Sequence, residues 1–419
     1  KAKKNMGGFR FFNVVSSLLV LSILCRLSFA NSEASFLPIS DTFLNDKCWY
    51  ANAPGLPQGG MMFTTLIGDL FLAPGLLDPQ GSAINLATGE ISIPHPKLFR
   101  CEPANETLNW CVIGTGQNAS IGLVDNEYNI TSRYLNANAQ LWQDLTVLSE
   151  NSCIVHGEGT AVEVVAGQTN FKTWSLGKSG VFQISTLDSN RLAVLFVTPK
   201  DNPSHVYSVM ENFESTPKVY EFDKFTPEQI LVVDGQPFVL GISQNSHTLH
   251  LTKPDEVSRT AKNVEIPTNP IFIYNLIECN GLFLYNQGEI IHFDQDLNAI
   301  WAKTFSFSAA SDLADAVFQC TKEQKLVVGI NLSPSAFVSV NQVLVFDISD
   351  SSFTISNTEY GLVIKDKEIP KLKHSTEKLK EYHGLEFNIK STIFTMTEPD
   401  ESMTFKKTGE LTPLKYSSQ

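Results

Sequence analysis

One kind of apolar strand recurs seven times along the chain at a nearly constant interval. That regularity constrains the fold more than any single motif does. The segments are Met62-Phe-Thr-Thr-Leu-Ile-Gly68, Leu108-Asn-Trp-Cys-Val-Ile-Gly114, Asn151-Ser-Cys-Ile-Val-His-Gly157, Asn190-Arg-Leu-Ala-Val-Leu-Phe196, Gln236-Pro-Phe-Val-Leu-Gly-Ile242, Asn280-Gly-Leu-Phe-Leu-Tyr-Asn286 and Gln324-Lys-Leu-Val-Val-Gly-Ile330. Their starts lie 39–46 residues apart. Another apolar strand and a polar turn precede most of them. Asp234-Gly235 and Asn280-Gly281 are the tight-hairpin kind, whose residues tolerate positive φ. Two alternating strands follow each, as in Val162 to Val165 with Phe171 to Leu176.

The repeating unit is therefore four antiparallel strands, and helical periodicity is scarce. A lone four-stranded sheet cannot bury both faces, whereas sheets stacked in a ring can. The expected fold is all-β: a seven-bladed β-propeller of four-stranded antiparallel blades over 31–360, with a short C-terminal extension over 361–419. The alternatives are a sandwich pair, which the regular interval opposes, and a β-solenoid, which the hairpin turns oppose. The second strand of each unit should be buried on both faces. The fourth should lie at the rim, with Lys172, Lys218 and Lys303 outward. Ser35-Phe-Leu37 or Cys48-Trp-Tyr50 is the expected innermost strand of the first unit. In the extension, Lys371 to Glu381 reads as a short surface helix and Leu385 to Ile389 as a strand. A segment of 385–397 is expected to close the ring or pack beneath it.

Ile84-Asn-Leu-Ala-Thr-Gly-Glu-Ile91 and Phe293-Asp-Gln-Asp-Leu-Asn-Ala-Ile-Trp301 resemble the outer hairpins of quinoprotein-like and WD40-like propeller repeats. The resemblance covers about residues 40–360 and is one of architecture. The Gly-His and Trp-Asp signatures of WD40 repeats are missing. So is the adjacent-cysteine disulfide of quinoprotein dehydrogenases. The resemblance therefore implies no cofactor and no catalytic residue.

Residues 1–30 read as a secretory signal: basic up to Arg10, apolar from Phe11 to about Cys25, then Ser28-Phe29-Ala30 for cleavage. The run is short for a membrane span and carries Asn13, Ser16, Ser17 and Ser22. The net charge is −13, and −18 without that basic segment, where 26 basic face 44 acidic residues. Such an acidic chain is a poor partner for nucleic acid. Asn105-Glu-Thr, Asn118-Ala-Ser and Asn129-Ile-Thr are glycan acceptors, and Asn331-Leu-Ser is a fourth, followed by Pro334.

Six cysteines remain beyond Cys25, an even number that fits disulfides in a secreted chain. Cys101 and Cys111 flank a turn and should pair across it. Cys279 and Cys320 end the first strands of neighbouring units. Cys48 with Cys153 is left by elimination.

No nucleophile elbow, zinc helix, phosphate loop or dinucleotide fingerprint is present. Gly114-Thr-Gly116 leads into an acceptor rather than a helix and reads as a turn. His247 and His250, three apart on a strand, face opposite ways and read as surface or rim residues. Asp294, Asp296 and Asn298 begin like a calcium loop. Ala299 and Phe305 stand where it needs Gly and a bidentate acid, so a polar turn is expected. No metal site or cofactor is expected. A carboxylate pair for glycoside hydrolysis would come from Asp69, Glu158, Asp201 or Glu289.

Asp69 to Asp78 is read as a loop with the apolar residues Leu70, Phe71, Leu72, Leu76 and Leu77. It folds back as a plug, extends a strand, or forms a partner-binding patch. The long loop 331–341 of the last unit, with Phe337, would meet it. The function expected is a secreted, glycosylated extracellular binding or assembly module, its partner a protein, a glycan or a second copy. The alternatives are a carbohydrate-active hydrolase or lyase, or a metal- or quinone-dependent propeller enzyme.

Overall fold

The computed structural model describes 36 strands between Cys48 and Pro413 and many of the turns joining them. Residues 1–47, 414–419 and connecting segments such as 53–64, 68–69, 74–81, 115–118, 136–143, 158–159, 198–204, 212–217, 244–247 and 336–337 lie outside the described residues. The signal segment, Ser35–Leu37, Asp69, Leu76, Leu77, Asn118, Glu158, Asp201, His247 and Phe337 fall there.

Strand β1 (Cys48–Asn52) comes first among the described strands. The first sheet is then β2 (Thr65–Ile67), β3 (Leu70–Ala73), β4 (Ser82–Asn85) and β5 (Glu90–His95). The second is β6 (Leu98–Pro103), β7 (Leu108–Ile113), β8 (Ser120–Asp125) and β9 (Ile130–Leu135). The third is β10 (Asp144–Ser149), β11 (Ser152–Gly157), β12 (Thr160–Val165) and β13 (Asn170–Ser175). The fourth is β14 (Gly180–Asp188), β15 (Arg191–Val197), β16 (His205–Glu211) and β17 (Lys218–Glu221). The fifth is β18 (Thr226–Val233), β19 (Gln236–Ile242), β20 (Thr248–Asp255) and β21 (Thr260–Pro267). The sixth is β22 (Tyr274–Glu278), β23 (Leu282–Asn286), β24 (Glu289–Phe293) and β25 (Ala299–Phe307). The seventh is β26 (Leu313–Cys320), β27 (Lys325–Ser335) and β28 (Val338–Asp347), completed by β1.

The fold is all-β and antiparallel, with no helix among the described residues. No described helix is long and apolar enough to cross a membrane. First strands of successive sheets touch: β2 and β6, β6 and β10, β10 and β14, β14 and β18, β18 and β22, β22 and β26, and finally β26 and β2.

The core lies between sheets. One cluster joins Trp110 and Val112 of the second sheet to Val155 and Val162 of the third. Another joins Phe238 and Leu251 of the fifth to Leu284 and Phe293 of the sixth. The second strands of the second to sixth sheets are buried on both faces, as expected: all five residues of β23 are buried, and five of the six in β11. Each large apolar side chain so buried contributes about 1.5–3 kcal/mol. The hairpin chemistry also holds, with φ of 50° at Asp234 and 68° at Gly235.

The sheets are not four-stranded. The segment after the seventh sheet runs back past them in reverse and adds an outer strand to each. β29 (Ile355–Ser356) and β30 (Leu362–Lys367) extend the sixth sheet. β31 (Lys373–Lys378), β32 (Lys380–Glu381) and β33 (Asn388–Ile393) extend the fifth, fourth and third. β34 (Thr395–Thr397), β35 (Thr404–Glu410) and β36 (Thr412–Pro413) extend the second, first and seventh.

This strap corrects four expectations. Within 371–381, Lys373–Lys378 and Lys380–Glu381 are strands, because pairing with β21 and β17 overrides helix propensity. Segment 388–397 pairs with the outer strands of the third and second sheets, and not with the first or the last. Cys48–Asn52 is not an innermost strand; it pairs with β28 on one side and β36 on the other. Lys172 and Lys218 are exposed, but Lys303 is fully buried, because β30 covers its strand and Asp366 stands opposite it.

The apolar run at 70–73 is likewise no loop. It is the second strand of the first sheet, Leu70 opposite Ile67 on one side and Asn85 on the other. Residues 331–335 and 338–341 extend the hairpin β27–β28.

Candidate functional site

Charged side chains meet where the second and third sheets adjoin. Arg100 and Glu102 alternate along β6 and so share a face, toward β10. The Arg100 guanidinium reaches Glu102 Oε1 through Nη2 at 3.2 Å and Asp144 Oδ1 through Nε at 3.0 Å. His156 stands opposite Asp144 in register, its Nε2 3.8 Å from Asp144 Oδ2. Neither His156 ring nitrogen has a hydrogen-bond partner, though the residue is buried.

The surroundings set the protonation. Burial pushes the Glu102 carboxyl up to about 7, against the pull of Arg100. Burial also holds the His156 imidazole below its ordinary value, with Asp144 opposing. Asp144, chiefly, raises the Arg100 guanidinium further. Arg100, Glu102 and Asp144 still keep 23–30% of their side-chain surface in contact with water. The cluster is thus crowded by protein but reachable, and near neutrality it holds one carboxyl half-protonated beside a cation-paired one. Such an arrangement can move a proton or bind a polar ligand.

The same junction device recurs without charge. Gln183 Oε1 accepts the amide of Ile230 at 2.8 Å, joining the fourth and fifth sheets. Gln229 Oε1 accepts the amide of Leu276 at 2.7 Å, joining the fifth and sixth. Glu102 Oε2 accepts the amide of Val147 at 3.2 Å in the corresponding role between the second and third.

A concavity of about 450 Å³ lies between the fourth and fifth sheets, lined by Arg191, Gln236, Lys253, Asp255, Glu256, Val257 and Lys262 among others. Val257 is 98% exposed. Its turn is held by Asp255, which accepts the amides of Val257 and Ser258 and the Ser258 hydroxyl. Those bonds, led by the hydroxyl, hold the Asp255 carboxyl below its usual range. Lys253 Nζ donates to the Gln295 carbonyl and sits 5.6 Å above the Phe238 ring. Tyr207 donates its hydroxyl to Glu256, whose carboxyl burial raises.

Sequence-predicted residues fare variously. Cys101–Cys111 and Cys279–Cys320 are disulfides, with Cα separations of 4.1 and 5.3 Å. Cys153 is a free, buried thiol, so the Cys48–Cys153 pair does not form. The two positions belong to the seventh and third sheets, which are not neighbours. His250 is buried, stacked on Phe225 with its Nδ1 3.3 Å from Asn263 Oδ1, and is no surface residue. Asp294 clamps its own turn. Glu289 pairs with Lys367 of the strap, away from Arg100 and Asp144. Leu70, Phe71 and Leu72 are strand residues of the first sheet. No group of three potential metal ligands occurs among the described residues. Sequence reasoning missed Arg100, Glu102, Asp144 and His156. Two charges at alternate positions of an apolar first strand were the available signal.

A scan against protein-family models finds no match, and neither does a search of curated proteins.

Proposed function

We propose that this chain is a seven-bladed β-propeller acting outside the cell as a binding or assembly module. The cycle of first-strand contacts, which returns from β26 to β2, supports the ring. The two disulfides are compatible with an oxidising compartment. The observation that carries the binding role is the concavity between the fourth and fifth sheets. Several turns frame it, it offers charges of both signs, and a fully exposed valine stands at its edge. Ligand sites gather where turns converge on a rigid scaffold.

The test is native mass spectrometry of the secreted protein, with a glycan array in parallel. Val257→Asp combined with Lys253→Glu should abolish retention of whatever the parent retains, while the chain still folds with only a small drop in melting temperature from the lost Lys253 contacts to Gln295 and Phe238. Retention that survives the double substitution would remove this concavity from the proposal.

A second reading has its own observation. Glu102 and Asp144 contact one guanidinium, and Glu102 holds its proton to about pH 7, as an acid–base pair in a glycoside hydrolase requires. Release of reducing sugar from oligosaccharides, lost in Glu102→Gln, would favour this reading over simple binding.

A further inference from the structure

The second sheet carries two glycan acceptors in turns, Asn105 between β6 and β7 and Asn129 between β8 and β9. We propose that Asn105 is glycosylated and that Asn129 is instead a structural residue of its turn. The proposal rests on the extracellular reading above.

The two amides are used in opposite ways. Asn105 engages only its oxygen. Oδ1 accepts the Thr107 amide at 2.8 Å, the Thr107 hydroxyl at 3.1 Å and the Leu108 amide at 2.9 Å. Nδ2 makes no hydrogen bond among the described residues. Three donors on the oxygen draw electron density from the amide and make its N–H more acidic. Pro103, Glu106 and Thr107 around it are exposed.

Asn129 spends the atom that a glycan needs. Its Nδ2 donates to Asp125 Oδ2 at 2.9 Å and its backbone amide to Asp125 Oδ1 at 2.7 Å. Tyr128, between them, has a φ of 66°. The same clamp recurs in the sixth sheet. Asn298 donates Nδ2 to Asp294 Oδ2 at 2.9 Å and its amide to Oδ1 at 2.8 Å, with Leu297 at 67°. There the sequence Asn298-Ala299-Ile300 is no acceptor. An asparagine at this position therefore serves the turn, and the acceptor triplet at 129 is incidental to that role.

In the transfer, Nδ2 displaces a lipid-linked pyrophosphate from the anomeric carbon of the donor sugar. The new N–C bond forms, the lipid pyrophosphate leaves, and the nitrogen gives up one proton. Both turns are local and close on the microsecond scale, ahead of long-range assembly. The transferase thus meets Asn105 with Nδ2 free and Asn129 with Nδ2 held.

The full chain is expressed in a eukaryotic secretory host, once as it is and once behind an added foreign leader. Enzymatic deglycosylation in heavy-oxygen water marks each formerly occupied asparagine, and peptide mass spectrometry reads the marks. Asn105 should be marked in most molecules and Asn129 in a minor fraction. Asp125→Ala, or the gentler Asp125→Asn, should raise marking at Asn129 several-fold and leave Asn105 unchanged. With the foreign leader, an unmarked Asn105, or Asn129 marked as fully as Asn105, overturns the assignment. Marking that appears only with the foreign leader overturns the extracellular reading and leaves the contrast between the two turns standing.

Discussion

The carboxylate of Glu102 holds the backbone amide of Val147 across a sheet boundary, in a role that glutamine fills at two other boundaries. A glutamine there is neutral at every pH. Glu102, with its carboxyl at about 7, is neutral only below that. The folded state binds this proton more tightly than the unfolded chain, so stability must fall as pH rises from about 4.5 to about 7. The fall should be on the order of 2–3 kcal/mol, allowing for the water that still reaches the group. His156, kept neutral by burial, works in the opposite sense as pH climbs toward its ordinary value. The difference between parent and Glu102→Gln isolates the Glu102 part. Urea melts from pH 5 to 8 should show the variant gaining on the parent as pH rises, and parallel curves would refute the account.

The two disulfides should not be equal. Cys279–Cys320 joins the sixth and seventh sheets across 41 residues, whereas Cys101–Cys111 spans 10 within one sheet. Loop-closure entropy gives about 4 kcal/mol for the first and about 3 for the second. Calorimetry of the paired Cys→Ser variants should place the inter-sheet variant lower in melting temperature.

Cys153 should be silent in the native protein. Its thiol is buried, and burial followed by the nearby Glu102 and Glu163 pushes its pKa well above the usual value, leaving little thiolate to react. Iodoacetamide should label the Cys153 peptide only after denaturation. Labelling at native rates, or recovery of that peptide in a disulfide, would contradict the structure.

The pair Lys303–Asp366, at 2.6 Å, fastens the strap to the sixth sheet and is asymmetric: the lysine is fully buried and the aspartate 77% exposed. Asp366→Ala strips a buried ammonium of this partner and should cost about 1–3 kcal/mol. Lys303→Met removes the buried charge altogether and should cost less. The double variant should resemble Lys303→Met alone. If Asp366→Ala is neutral in thermal melts, the pair does not hold the strap.

What could be read from the sequence was what is local. Cys101 faces Cys111 in register because a short turn sets the hairpin, and Asp234-Gly235 announces its own φ angles. The first unit was misread by one strand, since Met62–Gly68 and Leu70–Ala73 are both apolar and periodicity does not rank them. The strap was unreadable for a different reason. Lys373-His-Ser-Thr-Glu-Lys378 is polar throughout, and only β21, over a hundred residues earlier, makes it a strand. Lys303 follows from that omission, because an outer face is outer only if nothing is laid over it. The charged junction had a sequence signal in Arg100 and Glu102. Asp144 and His156 joined them through packing between sheets, which no spacing records.

The reverse course of the strap bears on how the protein is made. None of its pairings, from β30 to β36, exists until everything that precedes Leu362 has been synthesised. At about 5–20 residues per second, the stretch from Leu362 to Pro413 occupies several seconds of translation. Throughout that interval the outer edges that the strap later covers stand open to pairing with another chain. Synthesis stalled before Leu362 would leave every sheet in that state. The nascent protein's exposure to aggregation is thus governed by how quickly its lysine-rich strap arrives.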